Sequence, residues 1–121
     1  WRVPAVSYVY SSPAVADGVV CWGSYTGTFY GASAASGRIL WELNTGGSIS
    51  GAAVIVDGVA YAGSFSHRII GVNLHTGRRL VTFPHGQYVP VSGNGMRLLF
   101  NGFSRIYAVE PRVSKRRQLA R

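Results

Sequence analysis

Apolar and polar positions alternate in short runs along most of the chain. Val19 to Ser24, Thr28 to Ala32 and Ile39 to Leu43 are stretches rich in β-branched and aromatic side chains, separated by glycine, serine, threonine and asparagine. Runs of that length, bounded by turn residues, predict strands. Asp17-Gly18 predicts a two-residue hairpin between Ala14–Ala16 and Val19, because an Asp-Gly pair tolerates the positive φ that such a turn needs at both centre positions. Helical spacing of apolar residues occurs nowhere, and a glycine every seven or eight residues would break a helix.

The same pattern is then written again at a constant offset of forty residues. Asp17 falls on Asp57, Gly18 on Gly58, Gly23 on Gly63, Ser24 on Ser64, Gly31 on Gly71, Gly37 on Gly77, Arg38 on Arg78, Leu40 on Leu80 and Leu43 on Phe83. Residues that set backbone geometry are kept while others change, as a stack of equivalent supersecondary units requires. A degenerate third copy follows, with its turn at Asn94-Gly95 and strands at 89–91, 97–101 and 105–109; it gives Pro111 and a basic tail where a fourth strand belongs. Trp1-Arg2-Val3 stands forty residues before Trp41 and reads as the last strand of an earlier copy.

Four antiparallel strands per forty residues predict an all-β fold, a β-propeller of four-stranded blades. The expected division is the end of one blade at 1–10, a blade at 11–50, a second at 51–87, a degenerate terminal blade at 88–111 and a disordered basic tail at 112–121. About three blades do not close a ring, so further blades upstream of Trp1 are expected as partners. In a closed ring, a strand from the protein's own N-terminus would fill the vacant edge of the last blade. Two local expectations follow from comparing the copies. Gly23 marks a close approach of a backbone or ring, and His67, where the first copy has Gly27, either rearranges its turn or accepts a left-handed backbone.

Composition adjusts this picture. Charged residues are 13% of the chain, against about 25% in ordinary soluble domains, which suits sheets covered on both faces and leaves the Trp1 end with apolar surface to cover. No apolar run approaches the roughly 20 residues of a membrane-spanning helix. The net charge is +8, but Arg112, Lys115, Arg116, Arg117 and Arg121 all follow Pro111, and without those five the body carries +3. Such a tail is ordinarily solvated. No aromatic residue is interleaved with it, which disfavours a nucleic-acid partner and leaves an anionic membrane surface as its open alternative. The one cysteine, Cys21, has Tyr61 as its counterpart and reads as a core residue.

The run Tyr30-Gly31-Ala32-Ser33-Ala34-Ala35-Ser36-Gly37-Arg38-Ile39-Leu40-Trp41 resembles the tryptophan-docking motif of PQQ-like, quinoprotein-type propeller repeats, Tyr-Ala-Leu-Asp-Ala-x-Thr-Gly-Lys-x-x-Trp. The Asp-Gly-Val-x-Tyr-x-Gly-Ser stretch typical of those repeats is intact from Asp57 to Ser64. Departures are Ser33 and Asn73 in place of the motif aspartate, which Glu110 keeps as an acid, and Val81 in place of the docking tryptophan seen at Trp1 and Trp41. The resemblance implies a tryptophan wedged between adjacent blades and a looser joint where it is lost. It also implies one of two kinds of protein. One is the quinoprotein dehydrogenases, which hold pyrroloquinoline quinone (PQQ) and calcium; the other is non-catalytic propellers, among them BamB-like scaffold lipoproteins of outer-membrane β-barrel assembly and sensor propellers of bacterial kinases.

The residues favour the second kind. Dehydrogenases of the family resemble one another in an adjacent cysteine pair and in calcium-binding carboxylates, whereas this chain offers Cys21 alone and only Asp17, Glu42, Asp57 and Glu110. The aspartates are explained by hairpins. His67, His75 and His85 fall in separate turns, Ser24 and Ser64 sit where the repeat wants a small residue, and Gly93-Asn94-Gly95 lacks the rest of a dinucleotide fingerprint. Trp22, Tyr25, Tyr30, Trp41, Tyr61 and Phe65 recur at blade-packing positions, with a ligand surface as the alternative. The expectation is therefore a non-catalytic scaffold that binds a protein partner in a bacterial-type envelope, with no catalytic, cofactor or metal residue assigned. The alternatives are the C-terminal part of a PQQ-dependent dehydrogenase or a kinase-linked sensor.

Overall fold

The structure, a computed structural model, describes residues 1–5, 7–84, 92–93, 98–101 and 105–109. The first sheet holds β1 (Ala14–Ala16), β2 (Val19–Gly23), β3 (Thr28–Ser33) and β4 (Ile39–Asn44), antiparallel and in chain order. The second repeats it with β5 (Val54–Val56), β6 (Val59–Ser64), β7 (Arg68–Asn73) and β8 (Arg79–Phe83). The third contains β9 (Ser92–Gly93), β10 (Leu98–Asn101) and β11 (Ile106–Val109). These are successive propeller blades. The expected strand at 89–91, the Asn94-Gly95 turn, Glu110, His85 and the basic tail lie outside the described residues.

The forty-residue repeat of sequence is a repeat of geometry. Asp17 and Asp57 take φ of 47° and 52°, and the glycines after them 75° and 76°, so both hairpins use the left-handed pair that their sequence allows. Gly37 and Gly77 sit at 76° and 73° in the turns before β4 and β8. Register slips at the same place in both sheets, between Gly31 and Ala32 and between Gly71 and Val72. Ser33 and Asn73 do the turn-forming work of the motif aspartate. Asn73 Oδ1 accepts the amides of His75 at 2.9 Å and Thr76 at 3.0 Å, and Ser33 Oγ accepts that of Ser36 at 3.3 Å. A neutral oxygen acceptor is sufficient there.

The core lies between sheets. Side chains alternate along each strand, so Val19 and Cys21 of β2 join Phe29 and Trp41 against Ala60 and Ala62 of β6. Tyr61, between those alanines, turns the other way and packs with Ile69, Leu98 and Phe100 toward the third sheet. The second sheet is thus apolar on both faces, as its near-continuous buried run from Ala60 to Ser64 records.

Three expectations are refined. Gly23 makes room for an aliphatic side chain, not a ring or backbone: a Cβ there would collide with Ile49, which the linker after β4 inserts at that point. His67 keeps the turn and accepts the backbone, with φ of 64° and an amide bond to Ser64 O of 3.1 Å that matches the 3.0 Å bond from Gly27 to Ser24. Trp1 to Val3 is not a strand. A strand requires a backbone-paired neighbour, and residues 1–5 pair with none of the described strands.

Candidate functional site

Two surfaces emerge once the chemistry-bearing residues are placed. The first is the blade joint at Trp41 and its more exposed counterpart at Trp1. Trp41 lies over Gly77, whose Cβ, were there one, would stand 2.6 Å from that of Trp41, and its indole Nε1 donates to Leu74 O at 2.7 Å. Phe29 meets the ring edge-on at 5.2 Å between centroids. A glycine is needed at 77 for two reasons, positive φ and contact with the ring. Trp1 makes the same joint one repeat earlier, donating to Ala34 O at 2.9 Å over Gly37. Trp41 is 6% exposed and Trp1 62%, because the second joint is covered by β2 and β3 of its own sheet while the first has only the Trp1 segment.

That difference leaves an open groove of about 300 Å³ on the outer face of the first sheet, lined mainly by Trp1, Val3, Pro4, Val9, Val20 and Trp22. Trp22 stacks on Tyr30 there, 5.3 Å between centroids and 20° between planes. Their counterparts in the second sheet are Ala62 and Ile70, which are covered by the first sheet. At the third sheet Val81, 39% exposed, stands where a docking tryptophan would be. The joint is made instead by Phe83, whose ring lies 5.1 Å from Phe100 and 5.0 Å from Tyr107.

The second surface is the rim where β2 turns into β3 and β6 into β7. Tyr25 and Phe65 lie there, 5.7 Å apart and edge to face. They continue a row begun by Tyr8 and Tyr10 of the segment before β1, with centroid spacings of 5.8 Å and 5.5 Å. Hydroxyls knit this rim together: Thr45 Oγ1 donates to Gly27 O at 2.7 Å, Ser66 Oγ to Thr45 O at 3.1 Å and Ser48 Oγ to Tyr25 O at 2.5 Å. Sequence reasoning singled out Tyr25 and Phe65 but missed Tyr8 and Tyr10. The available signal was that their counterparts in the next copy are Ser48 and Ser50.

Among the described residues, the remaining candidates are not brought together. Asp17 and Asp57 sit in hairpins at the far end of β2 and β6 from this rim, and Glu42 lies midway along β4, opposite Tyr30. His67 and His75 occupy different turns. Among the described residues no three of His, Cys, Asp and Glu group as metal ligands would. Cys21 is fully buried, and burial pushes its thiol pKa up to about 12 although a backbone bond with Ala14 pulls the other way. A thiol held neutral is a poor nucleophile. Tyr61 is also shifted upward, first by burial and then by the carboxylate of Asp57.

The family described as outer membrane protein assembly factor BamB matches residues 1–87. No curated protein matches the sequence. Among solved structures, BamB from Moraxella catarrhalis is similar with a TM-score of 0.79 at 19% identity, over 91% of this chain and 36% of that one. The quinohemoprotein alcohol dehydrogenase ADHIIG from Pseudomonas putida HK5 is similar with a TM-score of 0.75 at 14% identity, over 91% and 20%. The computationally designed Ika8 protein is similar with a TM-score of 0.69 at 16% identity, over 82% and 32%. At these identities the structural likeness is one of fold, and the chain spans about a third or less of each of these proteins.

Proposed function

Because the chain belongs to the family of the outer membrane protein assembly factor BamB, we propose that it serves as a non-catalytic propeller scaffold binding protein partners in a bacterial-type cell envelope. The observation that carries this reading is the repeated joint at Trp1 and Trp41. Each combines an indole, a glycine and a backbone carbonyl, and fixes one blade against the next. Rigidity of that kind serves a scaffold, which must hold partner-binding loops in register. On this reading the groove beside Trp1 and Trp22 receives another blade of the same type, just as Ala60, Ala62 and Ile70 receive the first sheet.

The competing reading is a PQQ-dependent dehydrogenase with its catalytic blades elsewhere. Function follows from a site rather than from a fold, and Asp17 and Asp57 have structural positions in hairpins and Cys21 in the core, while Glu42 lies exposed on β4 apart from them. The test is thermal unfolding of the full-length protein with and without PQQ and calcium. An unchanged Tm at saturating cofactor is expected. A rise with cofactor concentration, as binding to the folded state requires, would overturn the scaffold reading.

A further inference from the structure

The two complete copies show which parts of the rim the fold requires. Tyr25 N donates to Tyr8 O at 2.8 Å, and forty residues on Phe65 N donates to Ser48 O at 2.9 Å. What both copies share is the carbonyl of that linker residue, which a serine supplies as well as a tyrosine does; Ser48 adds a hydroxyl bond to Tyr25 O that an aromatic ring cannot make. Tyr10 has Ser50 as its counterpart in the same way. The rings of Tyr8 and Tyr10 are therefore surplus to folding, yet they are 69% and 62% exposed. With Tyr25, 38% exposed, and half-buried Phe65 they form a continuous aromatic row across the ends of two blades. Exposed aromatic surface of this extent is characteristic of interfaces, where tyrosine gives large contact area at small entropic cost.

The geometry of the row selects its occupant. The rings follow one another singly, which fits something narrow. Alternate side chains of an extended peptide are about 7 Å apart, close to the ring spacings of 5.5 to 5.8 Å. Successive nucleobases need open, parallel ring faces. Here Tyr10 with Tyr25 and Tyr25 with Phe65 meet at 81° and 82°, and Tyr8 and Tyr10 cover one another. Charge narrows the choice further. Arg68 opens β7 directly across the hairpin from Ser64, the residue before Phe65, whereas Asp17 and Asp57 lie at the other strand ends and Glu42 on β4.

We propose that Tyr8, Tyr10, Tyr25 and Phe65 form a docking strip for an extended segment of a partner protein, with apolar side chains at alternate positions and carboxylates at the end nearest Arg68. The strip rests on the scaffold reading and names its partner-binding surface. The test measures binding of a fluorescent peptide, Phe-Ser-Phe-Ser-Phe-Asp-Glu, to the full chain. Its comparators are the same peptide ending in Lys-Lys and an oligothymidylate. Exchanging Tyr8→Ser together with Tyr10→Ser installs the residues of the second copy.

The acidic peptide binds, and the double substitution weakens it about tenfold or more, as loss of interface tyrosines does, with Tm unchanged. Arg68→Glu reverses the preference between the acidic and basic peptides. Equal binding to the double variant, no acidic-peptide binding, no reversal with Arg68→Glu, or tighter binding of oligothymidylate would overturn the strip. None of these outcomes alters the cofactor-dependent Tm that tests the scaffold reading, so the two can fail separately.

Discussion

Trp41→Ala and Trp1→Ala remove the same side chain from two copies of one joint, and the structure separates their costs. An indole side chain buries up to about 250 Å². At about 25 cal/mol per Å² the nearly enclosed Trp41 accounts for an upper bound of roughly 6 kcal/mol. Core Trp→Ala changes cost about 3–5 kcal/mol, and this one also deprives Leu74 O of its donor. We expect about 4 kcal/mol for Trp41→Ala. Trp1 is 62% exposed, so the same arithmetic leaves it about 2 kcal/mol at most, and its solvated bond to Ala34 O adds little. Urea unfolding of the 121-residue chain gives both values from midpoints at constant m. Equal costs, or a smaller cost for Trp41, would refute the reasoning from burial. In a longer protein whose next blade fills the groove, Trp1 would be enclosed as Trp41 is and the two costs would converge.

Two further substitutions or conditions test single features. Gly77→Ala forces an L residue into φ of 73° and its Cβ against Trp41, so unfolding should show a loss of about 2–4 kcal/mol, from the left-handed backbone and the overpacking together. The Cys21 pKa lies above the ordinary 9.0 in the folded state, at about 12. Stability is therefore fully present below pH 9.0 and falls as pH rises toward 12, by about 1.4 kcal/mol per pH unit. Alkaline denaturation curves check that slope; at pH 8 a thiol reagent should label Cys21 only after denaturant is added.

What was legible in the sequence is what one copy shares with the next. Asp17-Gly18, Gly37 and the Trp41 motif are local backbone requirements, and local requirements recur in phase. The contacts that differ between copies were harder to read, because each depends on a segment distant in sequence. Gly23 is fixed by Ile49, which arrives from the linker after β4. The aromatic row depends on a loop before β1 touching a turn after β2. Trp1 to Val3 carries the residues of a fourth strand, but pairing is a property of two segments and cannot be read from one. The Val81 departure was legible, while its replacement by Phe83, Phe100 and Tyr107 was not, since those rings come from two sheets.

That replacement makes the joint between the second and third sheets differ from the Trp41 joint, with a consequence for where the protein opens. Between the first and second sheets an indole is held by a directional bond to Leu74 O. Between the second and third, Phe83 brings ring pairs to the joint. Phe83 touches both partners of the third sheet, and Leu43 is its counterpart in the first. Phe83→Leu keeps most of the apolar area and loses two aromatic pairs, each worth about 0.5–1.5 kcal/mol, for a total near 2 kcal/mol. In a stack where each unit contacts only its neighbours, this loss should fall on the third sheet. Native-state hydrogen exchange should then show amides of β10 and β11 losing about thirtyfold in protection, the equivalent of that energy, with β2 and β3 unaltered. A uniform loss across all three sheets would mean that they unfold as one unit and that the aromatic joint is not a separate point of weakness.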